Sequence, residues 1–588
     1  MSATTYRSPE PGRLDYEYDR LLHPSESEQR RRDEWKFPSL SRFEAVLVFA
    51  VFTIAYFLIG LHLVGTSHVV VFDAVDRLTR AYMTWWDSPP KLAAIGFVYP
   101  PLQSLVFLPF ALLKPLATSL VALPLVGALF GALTMVSLDG ILVRCELALP
   151  LRLITMVLFG IGPLWLWATT TGESEAVYGF LFAAMLASFV AWYLTEETRF
   201  LIGCGLAAAV AALTRYNLGI LAAFLALLIA GVLVRRRSAA AQVEGTVAAY
   251  GAPIIYALAI WTMFNWLIQG KPFGWLSTSA NLAVNSAGLS HTGGASISAI
   301  LSHAVELTAT TSPLAIAAFV VLLFLFVAGG NTMAVALASV IGLTVIQLGL
   351  EAAIPANIAS MTLRTVLPVT LAGVIGAAWI YRAAGSLRLL VFGGMTALLV
   401  AALPLTWSEM KSYPFQEQEQ AFTRGLFSGA DQSGASSRGG FTVGLEAERQ
   451  MADYINRTVG DRFHAVLTDN SQTYAVILLS GKAPTFFNRV DRGDGAWRSV
   501  LSAPYGRVQY LLIACQDSGD LIRQKYPGAC TGRMSSRLTP VFTTVGQRYT
   551  LVRVAGPTPG GGTSTGGTST GTVQNASPTQ SQSTNTTP

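Results

Sequence analysis

The chain is predicted to be a polytopic α-helical membrane protein with about eleven transmembrane helices and a small external α/β domain. One observation is composition: of 588 residues, 52% are hydrophobic and only 13% charged, with a mean hydropathy of +0.48, far more apolar than a soluble chain of this size. The second is a series of apolar runs of about 18 to 23 residues, the length that crosses a ~30 Å hydrocarbon core as helix. The third is a sharp change to polar, mixed sequence after Trp407.

Residues 1–42 are polar and carry Arg30, Arg31, Arg32, Lys36 and Arg42 ahead of an apolar run without a small-residue cleavage site, so they are read as a cytoplasmic tail before an uncleaved first span. The membrane part covers 43–407, with runs at 44–65, 118–138, 151–170, 176–195, 199–214, 217–234, 246–268, 313–329, 332–351, 363–381 and 388–407. Positive charge concentrates in short cytoplasmic loops, so Arg235, Arg236 and Arg237, then Arg382 and Arg388, mark the inside. Counting outward from them places 66–117, Gly172 to Glu175, Arg215, 269–312, 352–362 and everything after Trp407 outside. The run 101–117 then cannot be a full crossing unless the N-terminus is itself external. Broken by Pro109 and Pro115 and carrying Lys114, it is expected to lie on the surface or re-enter.

Beyond the last span, 408–444 reads as a linker and 445–555 as the external α/β domain, with a helix at Glu446 to Thr458 and a helical turn near Asp520 to Lys525. Strands are expected at His464 to Leu467, Tyr474 to Leu479, Val508 to Ala514 and Tyr549 to Val554. The Gly/Ser/Thr-rich tail 556–588 cannot bury a core and is expected to be disordered. Cys515 and Cys530 share the external domain and are a disulfide candidate, whereas Cys145 and Cys204 lie in or near the membrane. The net charge of +6 is spread along the chain and gives no nucleic-acid footprint.

Ionisable groups at the external boundary are the candidate chemistry. Asp73, Asp76, Arg77 and Arg80 recur at i, i+3, i+4, i+7 and share one face of an amphipathic helix that ends in Trp85 and Trp86. The spacing fits Asp73 and Asp76 equally as a reactive acid, and it also fits two i,i+4 ion pairs that only solvate the helix. Glu173 and Glu175 occupy a very short external turn, where carboxylates are costly unless they face a polar cavity. Arg215 and Arg364 stand at bilayer level on the side where arginine is disfavoured, and their forked donors suit a phosphate, with snorkelling to headgroups as the alternative. Lys271 is a candidate of the same kind, and the histidines have no metal-site spacing.

Taken in order, a first-loop acid (Asp73), Tyr99-Pro100-Pro101-Leu102, the short acidic loop with Glu173 and Glu175, Leu213-Thr214-Arg215-Tyr216, Asn265-Trp266 with Gly270 and Pro272, and Arg364 with Pro368 resemble the GT-C fold membrane glycosyltransferases. That superfamily contains the protein O-mannosyltransferases and lipid A aminoarabinose transferases. The resemblance implies a polyprenyl-phosphate sugar donor, a glycan, lipid or protein acceptor, membrane lipid as surroundings, and a catalytic acid at Asp73 with Asp76 as rival. It also implies substrate-binding roles for Tyr99, Glu173, Glu175, Arg215, Lys271 and Arg364. The chain departs from the O-mannosyltransferase pattern, with Asp73-Ala74 where that family has Asp-Glu, and from the oligosaccharyltransferase pattern, with Glu173-Ser174-Glu175 in place of Asp-x-Asp. No cofactor is called for, and a divalent metal is left open. A lipid or solute transporter, with the same charges lining a path, and a membrane-anchored binding or sensor protein are the rival classes.

Overall fold

The computed structural model describes residues 40–96, 100–216, 218–275, 296–353, 361–413, 417–435, 443–490, 495–533 and 536–555. Its helices in the apolar part are α1 (Arg42–Gly65), α2 (Phe72–Trp86), α3 (Leu102–Ala111), α4 (Lys114–Thr118), α5 (Ala122–Arg144), α6 (Leu149–Gly160), α7 (Pro163–Thr171), α8 (Ser174–Thr195) and α9 (Thr198–Ala212). They continue as α10 (Leu218–Arg235), α11 (Ala240–Gln269), α12 (Ile297–Thr311), α13 (Pro313–Gly329), α14 (Thr332–Ala353), α15 (Leu367–Ala383) and α16 (Arg388–Ser412). The apolar runs are helical because a helix satisfies its own backbone donors and acceptors where no water can.

Among the described residues, eight helices are long and apolar enough to cross a membrane, and two bent pairs raise the number to ten. The pairs α6–α7 and α12–α13 bend by 70° and 105° where Pro163 and Pro313 open the second helix of each, since proline has no N–H for the preceding turn. The expected eleventh span is α9, whose fifteen residues reach only about 22 Å. The run 101–117 forms α3 and α4, of ten and five residues, both too short to cross. The indoles of Trp85 and Trp86 donate to Leu108 O (2.9 Å) and Ala111 O (3.0 Å), tying α3 along α2.

The two arginine groups taken as markers lie at one end of the bundle. Arg382 donates to Arg144 O (2.5 Å) and pairs with Glu146 (2.9 Å), and Arg388 reaches the same Glu146 (2.8 Å). Arg236 pairs with Glu196 (2.6 Å) and Arg235 donates to Gly330 O (3.3 Å). Nearby, buried Arg152 bridges Asp139 (2.7 Å) and Glu44 (2.6 Å), fastening α6 to α5 and α1.

At the opposite end sit α2 and the C-terminal part. The stretch expected to be a linker holds α17 (Gln418–Ser428), whose Glu419, Ala421 and Phe422 are buried, and Ser67 Oγ donates to Gly425 O at 3.0 Å. Burial of one face of 418–428 is what makes it an element instead of a spacer. Then come α18 (Glu446–Thr458), α19 (Asn470–Ser480), α20 (Gly495–Ser502) and α21 (Leu521–Lys525), with strands β1 (Val466–Thr468), β2 (Phe486–Phe487), β3 (Tyr510–Ala514), β4 (Leu538–Thr543) and β5 (Tyr549–Val554).

The sheet order is β2-β1-β3-β5-β4, with β1 parallel to β2 and β3, and β5 antiparallel to β3 and β4. The run Tyr474 to Leu479, expected as a strand, is the body of α19. A parallel β1–β2 pair needs a crossover that a tight turn cannot supply, and Asp469 starts the helix by accepting from Ser471 N. The two faces of the sheet go to different cores. Val466, Leu512 and Leu551 join the core that runs on into the membrane helices, while Leu467, Leu511, Ile513 and Val552 pack with Trp497. Cys515 and Cys530 are disulfide-bonded, with Cα atoms 5.5 Å apart.

This sheet-containing unit rests on α2. Thr79 Oγ1 donates to Tyr474 O (3.4 Å), Asn488 Nδ2 donates to Asp87 Oδ2 (3.2 Å), and Val71 forms a bridge with Val443. Arg548, held by buried Glu448 at 2.7 Å, lies over the Phe72 ring at 4.7 Å, one residue from Asp73.

Candidate active site

The site begins with a turn that only glycine can make. Gly172 follows α7 with φ +76°, and a Cβ there would lie 2.7 Å from Leu123 O, so both the left-handed backbone and the close approach exclude a side chain. The chain re-enters a helix at once, placing Glu173 at the N-cap of α8 and Glu175 in its first turn, where the helix dipole favours negative charge. Both side chains are buried.

Three guanidiniums converge on them from separate segments. Arg77, one turn into α2, donates to Glu173 Oε2 at 3.1 Å. Arg215, just past α9, pairs with Glu175 and lies over the Tyr178 ring at 5.5 Å. Arg364 sits in the 3-10 turn Leu363–Val366, 3.4 Å from Asp73 Oδ2, 3.7 Å from Glu175 Oε1 and 3.8 Å from Glu173 Oε2. It is the hub of the cluster.

The two acids of α2 part company here. Asp76 is 7% exposed and bonded to Arg80 Nε at 2.8 Å, the i,i+4 pair that spacing allows. Asp73 does not pair with Arg77 in that way. It faces Arg364, and its side chain is 36% exposed against 0% and 2% for Glu173 and Glu175. Asp73 is therefore the carboxylate at the mouth, and the two glutamates are behind it.

A fourth carboxyl joins from α17. Glu419 is buried and interacts with Arg364 and Glu175, and its desolvation pushes it up to about 7 against the opposing pull of Arg364. Glu173 is also pushed up to about 7, first by burial and then by the adjacent Glu175, with Arg77 opposing. Glu173 Oε1 accepts no hydrogen bond among the described residues. Arg77 is held charged, because the acids Glu173, Asp73 and Glu175 outweigh its desolvation. Three guanidiniums thus face a partly exposed acid and three buried ones, and their forked donors suit an anion.

Of the residues singled out in the sequence, Asp73, Glu173, Glu175, Arg215 and Arg364 come together. Tyr99 lies outside the described residues. Lys271 is exposed beyond α11 and makes none of these contacts. Arg77 had the right spacing but no separate signal from its helix neighbours, and Glu419 is one acid in the run Gln416-Glu417-Gln418-Glu419-Gln420, where nothing local marks it. Among the described residues, no group of three or more His, Cys, Asp and Glu side chains is arranged around a common metal position.

No family model matches the chain, and no curated protein matches it. Among solved structures, it is similar to ArnT from Cupriavidus metallidurans bound to undecaprenyl phosphate, with a TM-score of 0.47 and 13% identity over 88% of this chain and 100% of that one. It is also similar to the oligosaccharyltransferase AglB from Archaeoglobus fulgidus in complex with an inhibitory peptide and a dolichol-phosphate. There the TM-score is 0.44 and identity 10% over 81% of this chain and 70% of that one. At such values the likenesses assign no role to any residue here. The chain is a polytopic helical membrane protein with a small sheet-containing C-terminal unit.

Proposed function

We propose that this protein is an inverting glycosyltransferase that moves a sugar from a polyprenyl-phosphate donor to an acceptor on the external face of the membrane. The observation that carries the reading is the convergence of a partly exposed acid, Asp73, with Arg364 and the buried Glu173 and Glu175 at one end of an apolar bundle. Attack by an acceptor hydroxyl on the anomeric carbon forms the new glycosidic bond and breaks the bond to the lipid phosphate. Asp73 takes the hydroxyl proton. The departing phosphate gathers charge, and Arg364 with Arg215 meets it with forked donors. Glu173 and Glu175 keep those guanidiniums in place until the anion arrives. The external placement follows from the arginine loops at the opposite end, Arg235 to Arg237 and Arg382 with Arg388. On this reading the N-terminus is cytoplasmic and residues 445–555 form an extracytoplasmic domain that caps the site.

A transporter would place such charges along a path at mid-membrane, whereas these lie at helix ends. The test is transfer from defined polyprenyl-phosphate sugars in proteoliposomes, comparing the natural protein with Asp73→Asn and Arg364→Ala. Loss of about 10²-fold or more in turnover is expected for Asp73→Asn. Undiminished transfer by that variant sinks Asp73 as the base, and absence of transfer from every carrier sinks the enzyme reading.

A further inference from the structure

A second charged cleft lies where the C-terminal unit meets α2 and α4, well away from the acids and arginines above. It encloses about 300 Å³ between Tyr82, Trp86, Lys114, Asp461 and Lys482. Trp86 is thirteen residues along α2 from Asp73, about 20 Å at helical rise, so the cleft is separate from the candidate active site. Its two ammonium groups come from different parts of the chain. Lys114 Nζ stands over the Trp86 ring at 5.6 Å and beside Gly481, where an added Cβ would be 3.9 Å from it. Lys482, the next residue, reaches Asp461 Oδ1 at 3.0 Å, an acid that is 88% exposed. The cleft thus holds two cations and one solvent-facing anion.

Its rim is apolar. Leu112 and Leu113 are exposed immediately before Lys114, Trp85 is exposed beside Trp86, and Phe463 is exposed two residues after Asp461. A free anion would use the lysines and leave these exposed apolar neighbours idle. An amphiphile uses both, its phosphate between the ammonium groups and its acyl chains against Leu112, Leu113 and the indoles, in the manner of interfacial aromatic and lysine anchors.

We infer that this cleft seats the phosphate headgroup of an anionic membrane phospholipid, which bridges the C-terminal unit to α2 and α4. The inference needs the chain to lie in a bilayer but not to be a transferase, so lipid retention tests it independently of any catalytic assay.

The experiment is native mass spectrometry of the full-length protein with palmitoyl-oleoyl phosphatidylglycerol or phosphatidylcholine added in matched amounts. The natural protein is expected to retain phosphatidylglycerol about fivefold over phosphatidylcholine, at roughly fivefold per lysine less the opposing acid. Lys114→Gln with Lys482→Gln should abolish the preference, and Lys114→Arg with Lys482→Arg should keep it. Asp461→Asn should raise phosphatidylglycerol retention several-fold, and it decides the matter if the double glutamine variant does not fold. Equal retention of the two lipids by the natural protein, a preference surviving in the glutamine pair, or no gain in Asp461→Asn overturns the inference. Displacement of phosphatidylglycerol by inorganic phosphate at millimolar concentration overturns the lipid assignment in favour of a free anion.

Discussion

Asp73 and Arg364, 291 residues apart in sequence, meet with Oδ2 and Nη1 3.4 Å apart at the mouth of the charged cluster. The length leaves room for a stronger partner, and the same guanidinium already reaches toward Glu173 and Glu175 at 3.8 and 3.7 Å. Arg364 is thus positioned between an acid that can leave it and two that cannot, because they are buried. The following expectations rest on that relation and its neighbours.

Asp73→Asn and Asp76→Asn should behave differently although the residues are one helical turn apart. In the proposed reaction Asp73→Asn loses about 10²-fold or more in turnover with unfolding temperature nearly unchanged. Asp76→Asn should keep most activity but lose stability, because its partner Arg80, 2.8 Å away, is left against a neutral amide. Equal losses of turnover in the two variants would contradict the geometry.

Arg215 and Glu175 should couple. Removing only the arginine leaves Glu175 buried at 2% exposure with its nearest partner gone, at a cost of about 3 kcal/mol. Combining Arg215→Ala with Glu175→Gln should cost less than the sum of the two. Additive unfolding free energies would show that the pair does not act as a unit.

Glu419 gives a pH expectation with a defined sign. Folded, it holds its proton up to about 7, chiefly because it is buried, whereas in the unfolded chain it releases the proton near the ordinary value of 4.5. Between those values the folded state binds more protons, so stability falls as pH rises across the window and levels above it. Glu173 acts in the same direction. Glu419→Gln should flatten part of this slope in thermal unfolding between pH 4.5 and 8; an identical slope in the variant would remove Glu419 as its source.

Gly172→Ala should be costly for so small a change. The left-handed backbone at φ +76° and the 2.7 Å approach to Leu123 O both oppose a methyl group, together about 1 to 3 kcal/mol. Because the turn sets the start of α8, donor affinity in the transfer assay should fall along with stability. A variant with natural stability and natural KM would mean that the turn does not position Glu173 and Glu175.

Much of the membrane part was legible because hydrocarbon imposes one solution on an apolar run, and proline breaks explain why 101–117 does not cross. The α/β unit was read less well. Glu446–Thr458 and Tyr549–Val554 were found with their boundaries, since a strong amphipathic period and a β-branched, aromatic run each admit one reading. Tyr474 to Leu479 was not, because a short buried apolar run looks alike as strand or helix, and only the crossover between parallel β1 and β2 decides it. The strand Leu538–Thr543 was missed because it lies at the edge of the sheet, partly exposed and interrupted by Pro540.

For the site, the sequence by itself determined which ionisable groups stand at helix ends beside the bilayer, since their cost within hydrocarbon confines them there. It also determined that Arg215 and Arg364 belong with the acids and not with the arginine-rich loops. It could not rank Asp73 above Asp76, because i,i+4 spacing offers each an arginine. Tertiary structure gives the two different surroundings, closing Asp76 onto Arg80 and drawing Arg77 away to Glu173, which leaves Asp73 opposite Arg364. It alone brought in Glu419, through the packing of a segment whose composition reads as linker. Coulomb attraction between buried groups depends on distances of a few ångströms, and those distances are set by how the helices and the C-terminal unit pack, not by the order of residues along the chain.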